Sequence, residues 1–231
     1  MLADLIIHNI GSLISLSGAA EPRCGAALED LAVTSNAAIA IKDGLVLETG
    51  NSEELYRRYP DSEKLDAKGM LVLPGLVDCH THPVFVHTRQ DEFAMRMEGK
   101  TYVDIALAGG GIRSTIASTR DASEDQLYEL AAKRISKMIS LGATTLEAKS
   151  GYGLDTKSEL KQLRVIKRLA ETLGIDIIPT FMGAHEYPAE YKNNHEAYLK
   201  ILCEEMIPAV AEQGIARFCD IFTEAHVYNI E

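Results

Sequence analysis

From Leu71 onward the chain alternates short apolar runs with longer stretches of helical period, and this alternation constrains the fold more than any other feature. Residues 143–148, 175–182 and 217–223 read as strands. Between them, Leu127, Leu130, Ala131, Met138 and Ile139 fall near one helical face, as do Leu160, Leu163, Ile166, Leu169, Ala170 and Leu173, with Gly142 and Gly174 as stops. Ser123 with Gln126, and Thr156 with Glu159, have the spacing of capping boxes. Residues 102–108 predict a short helix ended by Gly109-Gly110-Gly111. Residues 195–213 predict a further helix, which Pro208 either kinks or restarts. Strands alternating with helices imply βαβ units and a parallel sheet. Pro179 inside its run is a mark against a central position for that strand.

Residues 1–70 differ. Leu5-Ile6-Ile7, the run 37–41 and the run 45–48 are β-like, and Lys42-Asp43-Gly44 between the last two is a hairpin signal. One short helix is expected from Ser52 to Tyr59, stopped by Pro60, and residues 17–30 read as a loop. The expected organisation is a small β-rich domain at 1–70 followed by an α/β domain at 71–231.

The chemistry concentrates at predicted strand ends. Leu76, Val77 and Cys79 read as a buried strand of a sheet covered on both faces, and His80 and His82 at its end share one side. Two imidazoles so placed supply two ligands for a divalent metal. The second strand leads into Lys149-Ser150-Gly151-Tyr152-Gly153, the third into His185-Glu186, and the fourth into Thr223, Glu224 and His226. Arg89 follows the first. Read singly, Arg89 is equally a solvated surface arginine, Tyr152 a tyrosine in a turn and His185 a satisfied core histidine. His226, like His8, His87 and His195, reads as incidental. Lys149 reads as the partner of Glu147 or Glu186, with a carbamylated metal bridge as the other account.

The net charge of −11 over 231 residues argues against nucleic acid or an anionic membrane as partner. Cys24, Cys79, Cys203 and Cys219 lack metal-site spacing and read as reduced, mostly buried thiols. With no signal peptide and no apolar run of spanning length, the cytoplasm is the expected compartment.

Pro74-Gly75-Leu76-Val77-Asp78-Cys79-His80-Thr81-His82 after a β-rich domain resembles the amidohydrolase superfamily. Longer strings narrow this: His80 to Phe85 with Arg89, Glu92 and Phe93; Gly109 to Ile112 with Ser114 and Thr115; Thr119-Arg120; Glu147 to Leu154; Glu159 to Arg164; Phe181 to His185; and Asp220 to Glu224. Together they are similar to the imidazolonepropionase family. The resemblance implies a metal-dependent (β/α)8 barrel, of which the chain would hold the first half, about four β/α units out of eight. It implies hydrolysis of an imidazolone ring C–N bond, turning 4-imidazolone-5-propanoate into N-formimino-L-glutamate in histidine degradation. It also implies one metal ion, zinc or iron, on His80 and His82, and a small-molecule substrate held by Arg89, Tyr152 and His185. A homodimer is implied as well. The remaining ligands and the water-activating residues are expected beyond Glu231, so the chain alone is expected to hydrolyse the substrate negligibly. Other readings are a different cyclic amide or amine hydrolase of the superfamily, or a non-catalytic fragment retaining half the site.

Overall fold

The Asp43-Gly44 pair turns a tight hairpin because both residues hold left-handed backbone, φ 52° and 77°, as a two-residue loop between twisted strands requires. In the computed structural model, which describes residues 2–18, 21–101, 104, 112–224 and 227–229, this hairpin belongs to the first of two compact units, Met1–Pro74 and Gly75–Glu231.

In the first unit, β1 (Leu5–Ile14) pairs antiparallel with β2 (Val33–Lys42), which pairs with β3 (Leu45–Asn51). Helix α1 (Ser52–Arg58) follows, and β4 (Glu63–Asp66) and β5 (Leu71–Val72) add to β1 in parallel. β1 is longer than its first apolar run suggests, and a bulge at Asn9 (φ 54°) interrupts its register. A regular strand would put Ile6 and Ile10 on one face. The extra residue sends Ile6 to a cluster with Ala40 and Leu55, and Ile10 to another with Ala37 and Leu13. The Asn51 side chain accepts from Glu53 N and Glu54 N at 3.0 and 3.3 Å, capping α1. Asn51→Ala is expected to cost about 1 kcal/mol, read as a lower urea midpoint at unchanged slope.

The second unit is built on a parallel sheet in the order β6 (Leu76–Thr81), β7 (Ala143–Lys149), β8 (Asp176–Ala184), β9 (Phe218–Ile221). Helices α2 (Gln90–Met97), α3 (Ile112–Asp121) and α4 (Glu124–Ser140) lie between β6 and β7 in sequence; α5 (Thr156–Thr172) links β7 to β8. Between β8 and β9 come α6 (His195–Ile201), a π-helical turn at Leu202–Met206, and α7 (Ile207–Gln213). Leu127, Ala131 and Ile135 of α4 and Leu163, Ile166 and Leu169 of α5 are fully buried with Leu146, Ala148 and Phe181 of the sheet. The capping box at Ser123 forms with both of its hydrogen bonds.

Several expectations are corrected. Leu76 and Val77 are 50% and 66% exposed, because β6 is an edge strand with β7 on one side only. All four cysteines are free and exposed, two of them, Cys79 and Cys219, on the edge strands β6 and β9. Pro179 lies in β8, which is central. Its carbonyl accepts from Arg217 N, the residue before β9 begins, so the amide it lacks falls outside that ladder. Pro208 lies directly after the π-helical turn, in a helix that runs on from α6 without a break: Ile201, Met206 and Ile207 all keep right-handed helical backbone. Thr156 is not a cap: Asp155 accepts from Ser158 N, and Glu159 is engaged elsewhere. The expected helix at 102–108, save Asp104, and Gly109-Gly110-Gly111 lie outside the described residues. No helix among the described residues is long and apolar enough to cross a membrane.

Candidate active site

Parallel strands deliver their C-terminal ends to one edge of the sheet, and the predicted residues collect there. Thr81 at the end of β6 is buried and donates to Glu147 O at 2.6 Å, tying β6 to β7. Its neighbours in sequence, His80 and His82, have ring centroids 5.7 Å apart. His82 stacks on His185 at 4.7 Å with planes 10° apart, and Tyr152 meets both rings edge-on at 5.4 and 5.3 Å. Phe85 lies 5.6 Å from Tyr152, and Phe222 stands edge-on to His185 at 6.1 Å.

Main-chain acceptors fix the imidazole tautomers. His82 Nδ1 lies 2.9 Å from Ser150 O, and His185 Nδ1 lies 2.8 Å from Gly151 O. A carbonyl only accepts, so both Nδ1 atoms carry the proton and both Nε2 lone pairs stay available. Burial, followed by the neighbouring His185, lowers the His82 pKa to about 4. Burial likewise lowers His185. Both are therefore neutral at pH 7, as a metal ligand or hydrogen-bond acceptor must be. Burial raises Tyr152, and the nearby Arg89 guanidinium opposes that rise, so the phenol keeps its proton. Arg89 itself is exposed, directly before α2.

Lys149 pairs with Glu147 at 2.7 Å, as expected, but its second partner is Asp220 at 2.8 Å and not Glu186, whose carboxylate accepts from Tyr187 N. Thr180 also donates to Glu147, at 2.7 Å. Thr223 and Glu224 form a small bridge with Tyr228, and His226 lies outside the described residues.

Two supporting residues escaped sequence reasoning. Arg134 of α4 donates to Pro83 O and Phe85 O at 2.9 and 2.6 Å and stacks on the Phe85 ring at 3.7 Å, which holds the segment after His82. Glu159 is fully buried and accepts from backbone amides of the loop that carries Tyr152. Its sequence signal was present but matched the capping-box spacing better. Gly151 has φ 107°, and a Cβ there would come within 2.9 Å of His185 Nδ1; only glycine lets the loop approach that ring so closely.

Two neighbouring imidazoles, His82 with Nε2 free, are donors suited to a metal ion. Among the described residues, no group of three or more His, Cys, Asp or Glu side chains stands close enough together to hold an ion.

No family model matches the chain. It is 45% identical over 230 residues to the imidazolonepropionase of Clostridium tetani, covering 99% of this chain and 55% of that protein. It is 46% identical over 231 residues to the imidazolonepropionase of Symbiobacterium thermophilum, covering 98% of this chain and 54% of that protein. The chain thus spans about half the length of the curated relatives it matches. An atrazine chlorohydrolase from Arthrobacter aurescens, solved with zinc, shares the fold at a TM-score of 0.53 and 17% identity, over 77% of this chain and 35% of that one. Over nearly all of its residues, the chain is similar to about half of an imidazolonepropionase.

Proposed function

We propose that this chain carries part of the active site of a metal-dependent hydrolase that opens the imidazolone ring of 4-imidazolone-5-propanoate at a C–N bond, giving N-formimino-L-glutamate in histidine degradation. The observation that carries the reading is the convergence of neutral His82 and His185 with Tyr152 at adjacent strand ends, with Arg89 close to Tyr152. The two imidazolonepropionase relatives support the substrate.

In this reading the sheet is part of a (β/α)8 barrel, and His80 and His82 hold one ion, zinc or iron; the zinc bound by the atrazine chlorohydrolase favours zinc. Such an ion, when bound, supplies Lewis-acid chemistry toward water and the ring carbonyl. The rest belongs to this chain's side chains. Arg89 offers a planar guanidinium fork to the propionate carboxylate. Tyr152, still protonated at pH 7, donates to a substrate oxygen. His185 presents a free Nε2 to a ring N–H, and the stacked His82–His185 pair shields one face of a flat substrate from water. The enzyme is read as a cytoplasmic homodimer acting on a small molecule, with neither nucleic acid nor membrane as partner; the net charge of −11 supports the first exclusion.

The test is calorimetric titration of the chain with zinc and with N-formimino-L-glutamate. Arg89→Met removes a charge-assisted pair of about 1.5–3 kcal/mol and is expected to weaken binding of the glutamate product roughly tenfold to a hundredfold. Unchanged affinity would refute the assigned role of Arg89 and favour another cyclic amide hydrolase.

A further inference from the structure

The loop from Ser150 to Leu154 joins β7 to α5 and supplies both carbonyls on which His82 and His185 lean. Two of its residues, Gly151 (φ 107°) and Leu154 (φ 52°), hold left-handed backbone. For leucine this conformation is disfavoured and persists only where the surroundings impose it. The hydrogen bonds of the loop show what imposes it. Glu159 Oε2 accepts from Gly151 N at 3.1 Å, and its Oε1 accepts from Gly153 N and Leu154 N, both at 2.8 Å. Gln162, one turn along α5, accepts from Tyr152 N at 3.2 Å. Four successive amides, 151 to 154, are thus taken by two side chains of one helix.

The carbonyls leave for other partners. Ser150 O and Gly151 O meet the imidazoles, while Gly153 O and Leu154 O accept from Arg120 at 2.6 and 3.0 Å. A concave run of amides is ordinarily a site for an external anion; here the chain fills it with its own carboxylate. A carboxylate wholly removed from water is costly unless fully hydrogen-bonded, and a leucine in its place would strand three buried amides. Core packing alone does not ask for an acid there.

We propose that Glu159 is a positioning residue of the site: its buried carboxylate shapes the 151–154 loop, so that Tyr152 is presented and the Gly151 carbonyl holds His185 as the Nδ1–H tautomer. This rests on the reading above that Tyr152 and His185 face the substrate.

Glu159→Gln tests it. The carboxamide can keep its oxygen toward Gly153 N and Leu154 N, but its NH2 then faces Gly151 N, donor against donor. The disturbance therefore falls on Gly151, whose carbonyl holds His185. In long-range 15N–1H spectra of the whole chain, the His185 ring is expected to leave the pure Nδ1–H pattern in Glu159→Gln, and the Tyr152 ring signals are expected to shift. Leu169→Ala, a core truncation on the same helix away from the loop, is expected to lower the urea midpoint and leave both signals in place. Unchanged His185 and Tyr152 signals in Glu159→Gln, or equal shifts in Leu169→Ala, would overturn the proposal.

The parent chain supplies a second reading that needs no variant to fold. The amides of Gly151, Gly153 and Leu154 are expected to exchange with solvent as slowly as those of β7; exchange as fast as that of Gly44 in the exposed hairpin turn overturns the proposal. These spectra are taken without substrate. Their failure is therefore distinct from failure of the hydrolase reading, which would show as absent product binding by the parent.

Discussion

Replacing Lys149 with methionine is expected to destabilise the second unit by about 3 kcal/mol, the range for removing one partner of a buried ion pair. The Lys149 side chain is 5% exposed and Glu147 is 18% exposed, so the substitution leaves an uncompensated carboxylate in a region with little water. Asp220, more open, adds a second negative charge to the same pocket. The pH dependence gives a separate signature. Burial alone would push Lys149 down, but its hydrogen bonds to Asp220 and Glu147 outweigh burial and hold it above the usual amine value. The Lys149 hydrogen bond, against some burial, holds Asp220 below the usual carboxylate value. Raised in the folded state, the lysine contributes stability that is fully present below its unfolded value of 10.5 and lost as pH rises through its folded value. Lowered in the folded state, Asp220 contributes stability present above 3.8 and lost as pH falls through its folded value. Urea midpoints measured across this span should drop for Lys149→Met on the plateau and converge with the parent at both ends. A uniform loss at every pH would show that packing, not charge, is the cause.

Phe181→Ala is expected to cost about 3–5 kcal/mol, the usual range for an aromatic removed from a packed interior. The ring is 2% exposed and lies over Gly183, where even a Cβ would come within 2.5 Å of it. Nothing larger than glycine at 183 can share that space, so the ring has no neighbour in its own strand able to fill the hole. Urea unfolding should show a lower midpoint with an unchanged slope. Ile221→Ala on β9, where the side chain is 51% exposed, should fall within about 0.5 kcal/mol of the parent.

Much of the fold was legible because local chemistry and tertiary role agree. The Asp43-Gly44 turn, the Ser123 capping box and the stripe Leu163–Ile166–Leu169 each have a local physical cause, and each is found in place. Where local chemistry and tertiary demand compete, the sequence misleads. Thr156 and Glu159 have the spacing of a capping box, but the loop before α5 needs an acceptor for its amides more than the helix needs a second cap. Leu76 and Val77 are apolar enough to be interior, and exposure comes only from their place at the end of the strand order. Pro179 is a poor strand residue by composition, yet tolerable where its missing amide would point beyond the start of β9. At the site, His80, His82, Tyr152 and His185 could be read from residue type and strand-end position. The pairing of Lys149 with Asp220 could not, since it joins residues 71 positions apart on strands separated by β8.

The π-helical turn at Leu202–Met206 bears on which changes of length the chain can accept. A π-turn holds one residue more than the α-turn it replaces, so this segment is in effect a one-residue insertion absorbed inside a helix. Because the wide turn takes up that residue, the segments on either side keep the phase of one continuous helix, and deleting a single residue there would close it to an α-turn with little change of phase. Tyr198 would keep its place, its buried hydroxyl still donating to Gly183 O as it now does at 2.9 Å. The same deletion inside α4 or α5, which have no such turn, would instead rotate one half of the helix by about 100° and misplace its buried face.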